Sequence, residues 1–131
     1  MTELAIVIVS WNVRDLLRRC LSAVEASLAG SGIAYRTIVV DNASADGTPA
    51  MLRAEFPTAE LIESGANLGF AAGNNLALRT IFSSPFPIPY VLTMPRDAQP
   101  GKLTPPSFSR IIPRETPYAA LQSHECDKNL W

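Results

Sequence analysis

The chain has 131 residues, a formal net charge of −1 and 47% hydrophobic residues. That length suits one domain of ordinary size, and the composition excludes a disordered chain. Near-neutral charge gives no electrostatic reason for a nucleic-acid or anionic-membrane partner.

Leu4 to Val9 is a short apolar run rich in β-branched residues, the signature of a strand buried on both faces. Glu3 stands where a secretory leader would be basic, so no signal peptide is read here. The run breaks at Ser10-Trp11-Asn12, and from Arg14 the period becomes helical. Leu16, Leu17, Cys20, Leu21, Val24 and Leu28 form an apolar face, with Gly30 and Gly32 closing the helix. Cys20 on that face reads as a reduced core residue. Cys20 and Cys126 are the only cysteines, too few for a disulfide framework and without C-x-x-C spacing.

A second strand is expected from Tyr35 to Val40, followed by Asp41-Asn42-Ala43-Ser44-Ala45-Asp46-Gly47. This polar stretch has two readings. It is a strand end followed by a helix cap, or it is a ligand site at the carboxyl edge of a parallel sheet. Asp46 or Thr48 is placed to cap a short helix through Met51, Leu52 and Phe56, ended by Pro57. Ala59 to Glu63 is a weaker strand. Gly65 to Asn75 then runs into a helix bearing Leu76, Ala77, Leu78, Ile81 and Phe82, and Tyr90 to Met94 is a further strand. The order β-α-β-α-β-α-β predicts an α/β fold, a mostly parallel sheet with flanking helices. No run approaches the roughly 20 apolar residues of a membrane span, and the expected compartment is the cytoplasm.

Beyond Ser84 the character changes: nine of the eleven prolines lie between Pro85 and Pro117. Such density leaves little room for a regular helix or central strand. Residues 1–94 therefore read as the α/β domain and 95–131 as an irregular tail. His124-Glu125-Cys126-Asp127 holds ligand-type residues, but neighbours in sequence cannot all face one ion, and no second cluster accompanies them.

Three polar clusters follow three predicted strands, and a parallel sheet would gather them at one edge. Asp41 can accept hydrogen bonds from a base, while Asn42 and Ser44 offer donors and acceptors. Gly69 and Gly73 either let backbone N–H groups approach a diphosphate or only satisfy turn geometry. No Gly-Lys-Ser/Thr follows them, and G-x-G-x-x-G spacing is absent, so neither a Walker loop nor a dinucleotide fingerprint is present. Asp97, just past the fourth strand, is either a solvated loop acid or a ligand for Mg²⁺ or Mn²⁺ bridging phosphate oxygens.

In register, Ile6 to Asn12, Ile38 to Gly47 and Asn67 to Asn75 resemble the family 2 glycosyltransferases, especially rhamnosyltransferase-like members. The likeness covers about residues 3 to 80. It implies the nucleotide-sugar-binding half of a GT-A fold and inverting transfer of a sugar to an acceptor hydroxyl. A UDP- or dTDP-linked sugar would be the donor; the acceptor, a glycan or lipid, stays open. By position the resemblance puts Asp41 on the nucleobase, with Ser10, Asn12, Asn42 and Ser44 around the nucleotide. Asn67, Gly69, Gly73, Asn74 and Asn75 would lie near the ribose and diphosphate. Met94-Pro95-Arg96-Asp97 stands where the family carries a metal-binding Leu-Asn-Pro-Asp, so Asp97 would hold the divalent metal. Family members continue for an acceptor half with a carboxylate base that this chain does not match, so no catalytic residue is assigned. The alternative expectation is a truncated or frameshifted product, a nucleotide-binding remnant without turnover.

Overall fold

The computed structural model describes residues 2–85, 88–94 and 110–113. Its sheet has the order β3-β2-β1-β4-β5, built from β1 (Leu4–Ser10), β2 (Tyr35–Asp41), β3 (Glu60–Glu63), β4 (Tyr90–Met94) and β5 (Arg110–Pro113). The first four strands pair in parallel, as the α/β reading requires. Helices α1 (Arg14–Leu28), α2 (Thr48–Glu55) and α3 (Gly69–Phe82) make the crossovers.

β1 is apolar up to Ser10 and β2 is apolar from Ile38 to Val40, yet these side chains divide strictly between two cores. Ile6, Ile8 and Val39 pack with Leu17, Cys20, Leu21 and Val24 of α1 and with Met51 and Leu52 of α2. Ala5, Val7, Val9, Ile38 and Val40 pack with Ala77, Leu78 and Ile81 of α3. Alternation along the strand thus sends one residue to each helix layer in turn. Cys20 sits in the first of these cores, and burial pushes its thiol up to about 11. It is an inert thiol at neutral pH.

The structure departs from the expected irregular tail at one place. Arg110–Pro113 forms β5, antiparallel to β4, with Val91 opposite Ile112 and Leu92 opposite Ile111. Two β-branched isoleucines favour a strand, and an outer strand tolerates the proline that a central one would reject. Asp97, Cys126 and the His124–Asp127 group lie outside the described residues.

Gly73 lets α3 sit close to the sheet. A Cβ added there would lie 2.8 Å from Val9 Cγ1 and 3.4 Å from Asn42 Nδ2. A Gly73→Ala substitution gains about 1 kcal/mol of helix propensity but overpacks the core at about 1–3 kcal/mol. We expect a net loss of stability in urea denaturation, with Val9→Ala in the same chain restoring part of it. An additive double mutant would show that the two positions do not share this space.

Candidate functional site

The register brings three strand ends to one level. Ser10 pairs with Asp41, and Asp41 with Glu63. β2 and β3 lie to one side of β1 and β4 to the other, while α1 and α2 share the core that α3 does not. The chain reverses direction across the sheet between β1 and β4, and the carboxyl edge there is where open α/β sheets form a crevice.

Loops after β1 and β2 are tied together. Asn12 N–H donates to Ser44 Oγ at 2.9 Å, and Ala45 N–H donates to Asn12 Oδ1 at 2.8 Å. Arg14 N–H donates to Asp46 Oδ2 at 2.9 Å, and Arg14 Nη1 donates to the Asp46 carbonyl at 3.0 Å. Within the second loop, Ser44 N–H donates to Asp41 Oδ2 at 3.1 Å and Asn42 N–H to the Ser10 carbonyl at 2.8 Å. Asn12 and Ala43 hold φ of 51° and 61°. Asparagine enters this left-handed region readily, whereas alanine does so only where surrounding bonds impose it.

Thr48 N–H and its hydroxyl both donate to Asp46 Oδ1. The capping role expected of Asp46 is thus present, but from one residue before the N-cap. Gly47 occupies the N-cap itself at φ 82°, a conformation that costs glycine little. Pro49 follows in the first turn, where a missing N–H leaves no bond unmade. Burial raises the Asp46 pKa, but hydrogen bonds from Thr48 and Arg14 outweigh it and hold the carboxyl below the usual range. Its stabilisation is therefore present at neutral pH and is lost only as pH falls through that lowered value.

A different set of polar atoms is buried with nothing to bond. Ser10 Oγ, Asp41 Oδ1, Asn42 Oδ1, both amide atoms of Asn74 and Asn75 Oδ1 have no protein partner. Ser10, Asn42 and Asn74 are fully buried, and Asp41 is 2% exposed. Asn42 spends its Nδ2 on the Gly69 carbonyl at 3.1 Å, joining the end of β2 to the first residue of α3. Ser64 secures the backbone behind Asp41, its N–H donating to the Asp41 carbonyl at 3.0 Å while its hydroxyl donates to the Ala66 carbonyl.

The predicted residues therefore fall into groups. Ser10, Asp41, Asn42 and Asn74 are buried at or beyond the strand ends with unused polar capacity. Asn12 and Ser44 have bonded to each other. Asn67 is exposed and accepts Gly69 N–H at 3.2 Å, shaping the start of α3. Gly73 is packed against Val9. Sequence reasoning missed Arg14 and Ser64 as organisers of the site. Only the Asp-Gly-Thr cap signal pointed toward one of their partners.

Among the described residues no three His, Cys, Asp or Glu side chains gather as a metal-ion site. Glu63, level with Asp41, is paired with Arg53 at 2.7 Å. The described donors alone do not make a cation site, and the proposed ligand, Asp97, lies three residues beyond β4. A cleft of about 270 Å³ opens beside the loop ties, lined by Asn12, Val13, Arg14, Asp15, Leu16 and Asp46. Among the described residues, no helix is long and apolar enough to cross a membrane.

The family described as Glycosyl transferase family 2 matches residues 5–105, reaching beyond β4 and including Asp97. No curated protein sequence matches the chain. Among solved structures, a mannosyltransferase from Pyrobaculum calidifontis, in complex with GDP-Man and Mn²⁺, is similar at 25% identity and a TM-score of 0.58. The similarity covers 70% of this chain and 26% of that one, so this chain spans about a quarter of that protein's length.

Each buried polar group without a partner costs about 1–3 kcal/mol, so Asn74 is an expensive residue for the fold. We expect Asn74→Ala, which removes both polar atoms without adding bulk, to raise the urea midpoint. A lowered midpoint would mean that the amide is satisfied in solution.

Proposed function

We propose that this chain, which belongs to glycosyl transferase family 2, binds a nucleotide-diphosphate sugar at the carboxyl edge of its sheet as donor for inverting transfer to an acceptor hydroxyl. The observation that carries the reading is Asp41. It is buried, level with Ser10, and keeps one carboxylate oxygen without a partner. A base N–H meets that need, because an ionised acceptor forms a strong bond where water is scarce. Ser10, Asn12, Asn42 and Ser44 surround the nucleotide in this reading. Asn67, Gly69, Gly73, Asn74 and Asn75 lie toward the ribose and diphosphate, near the amino end of α3, whose first N–H groups favour an anion.

Asp97 is the proposed ligand of Mg²⁺ or Mn²⁺, which commonly needs only one or two carboxylates alongside phosphate oxygens. Such a metal neutralises charge on the leaving diphosphate. The solved mannosyltransferase, described with GDP-Man and Mn²⁺, supports a nucleotide-sugar donor and a divalent metal. The rhamnosyltransferase-like motifs favour a UDP- or dTDP-linked sugar. Transfer also requires a base to take the acceptor proton, and none is assigned among the described residues. A second reading is a nucleotide-binding remnant that holds the donor without turnover.

Calorimetry with UDP, dTDP and GDP, each with and without Mn²⁺, tests the donor site. Loss of a bond to a charged group costs about 1.5–3 kcal/mol, so Asp41→Ala is expected to weaken binding about tenfold to hundredfold. Affinity unchanged by that substitution would remove Asp41 from the pocket, and no binding of any nucleotide would overturn the reading. Separately, Asp97→Ala is expected to abolish the gain in affinity that Mn²⁺ confers. A gain that survives the substitution assigns the metal to other groups. Donor hydrolysis or sugar transfer separates the enzyme from the binding-only reading.

A further inference from the structure

We propose that Asp46 is a positioning residue for the nucleotide pocket, acting by capping α1 and α2 with one carboxylate. The inference rests on the donor-site reading above and assigns a role which that reading leaves open. Arg14 and Thr48 are the first residues of α1 and α2, and Asp46 accepts the N–H of both, one on each carboxylate oxygen. Neither helix has a side-chain cap of its own: Val13 and Gly47 occupy the N-cap positions without one. The positive ends of both helices therefore depend on the same negative charge.

The consequence for the pocket runs through a short chain of bonds. Asp46 pins its own loop to the start of α1 through Arg14, by N–H to Oδ2 and Nη1 to the carbonyl. That brings Ser44 Oγ to Asn12 N–H and Ala45 N–H to Asn12 Oδ1. Ser44 N–H in turn holds Asp41 Oδ2, leaving Oδ1 as the buried acceptor without a partner. The left-handed Ala43 at φ 61° lies within this loop and needs such bracing. Asp46 accordingly directs Asp41 through protein bonds, with Thr48 on its Oδ1 and Arg14 on its Oδ2. Asn12 Oδ1 and Ser44 Oγ are engaged in the same way and serve first to orient the loop.

The test uses the full chain with Asp46→Ala, Asp46→Asn, Ser44→Ala and Glu55→Ala. Amide hydrogen exchange and calorimetry with UDP, dTDP and GDP in Mn²⁺ are measured well below each melting temperature. Asp46→Ala is expected to speed exchange at Ser44 and Ala45 at least tenfold and to weaken nucleotide binding about tenfold. Asp46→Asn keeps an acceptor oxygen and recovers part of both effects. Ser44→Ala, which breaks the chain one bond later, weakens binding while the Asp46 bonds remain. Glu55→Ala loses only an exposed ion pair with Arg18 and leaves loop exchange and affinity unchanged. Wild-type exchange at Ser44 and Ala45 in Asp46→Ala would overturn the proposal. So would an equal effect of Glu55→Ala, which would reduce it to general stability. If Asp46→Ala does not fold, unaltered loop exchange in both Asp46→Asn and Ser44→Ala overturns it. A wild-type chain that binds no nucleotide defeats the donor-site reading alone, because the exchange measurement still decides the positioning.

Discussion

The parallel pairing of β1 with β2 is the constraint on which the rest depends. Its register runs without interruption from Leu4 and Tyr35 to Ser10 and Asp41. A slip by one residue would exchange every side chain between the two cores. A larger Ile8 in the place of Val9 would then meet α3 where Gly73 already lies close against the strand. Packing therefore fixes register, and register fixes the level at which Ser10 and Asp41 leave the sheet. The polar site inherits its geometry from apolar residues up to four positions upstream.

That dependence explains what could be read from the sequence. Runs such as Ile6-Val7-Ile8-Val9 and Ile38-Val39-Val40 announce buried strands, and the leucine spacing of α1 announces its buried face. The parallel α/β order followed from these. Which strand residue faces which helix layer did not, because an all-apolar strand carries no alternation to decode. β5 was hidden for a different reason: the prolines around it argue against a strand, and its partner β4 lies beyond an intervening segment. An outer strand needs only one paired edge, which a short isoleucine pair can supply.

The site shows the same division more sharply. Polar residues after three strands were visible as a group, but their roles were not, because a role depends on which atoms are already bonded. Asn12 and Ser44 were expected around the nucleotide, and Ser44 Oγ accepts Asn12 N–H while Asn12 Oδ1 accepts Ala45 N–H, across more than thirty residues of chain. Asp46 looked like the cap of one helix and serves two. Asn74 sat in a glycine- and asparagine-rich stretch running into a helix, and it is fully buried in α3 with both amide atoms unpaired.

Polar groups of these two kinds, the loop ties near the surface and the unpaired atoms buried, pull in opposite directions. Those in the loop ties are bonded and hold one arrangement of the chain, while Asp41 Oδ1, Ser10 Oγ and the Asn74 amide carry a desolvation cost that no protein contact offsets. An apolar substitution would remove that cost, so stability alone does not account for these residues. A ligand offering N–H donors to Asp41, and matched polar groups to Asn74, would offset it on binding. Bonded ties are what make such a site selective. If the Asp41 loop were free to turn, the carboxylate would find solvent or a backbone donor of its own, and the unmet acceptor would disappear. The bonded loop ties and the unmet acceptor of Asp41 are in this sense one property of the structure.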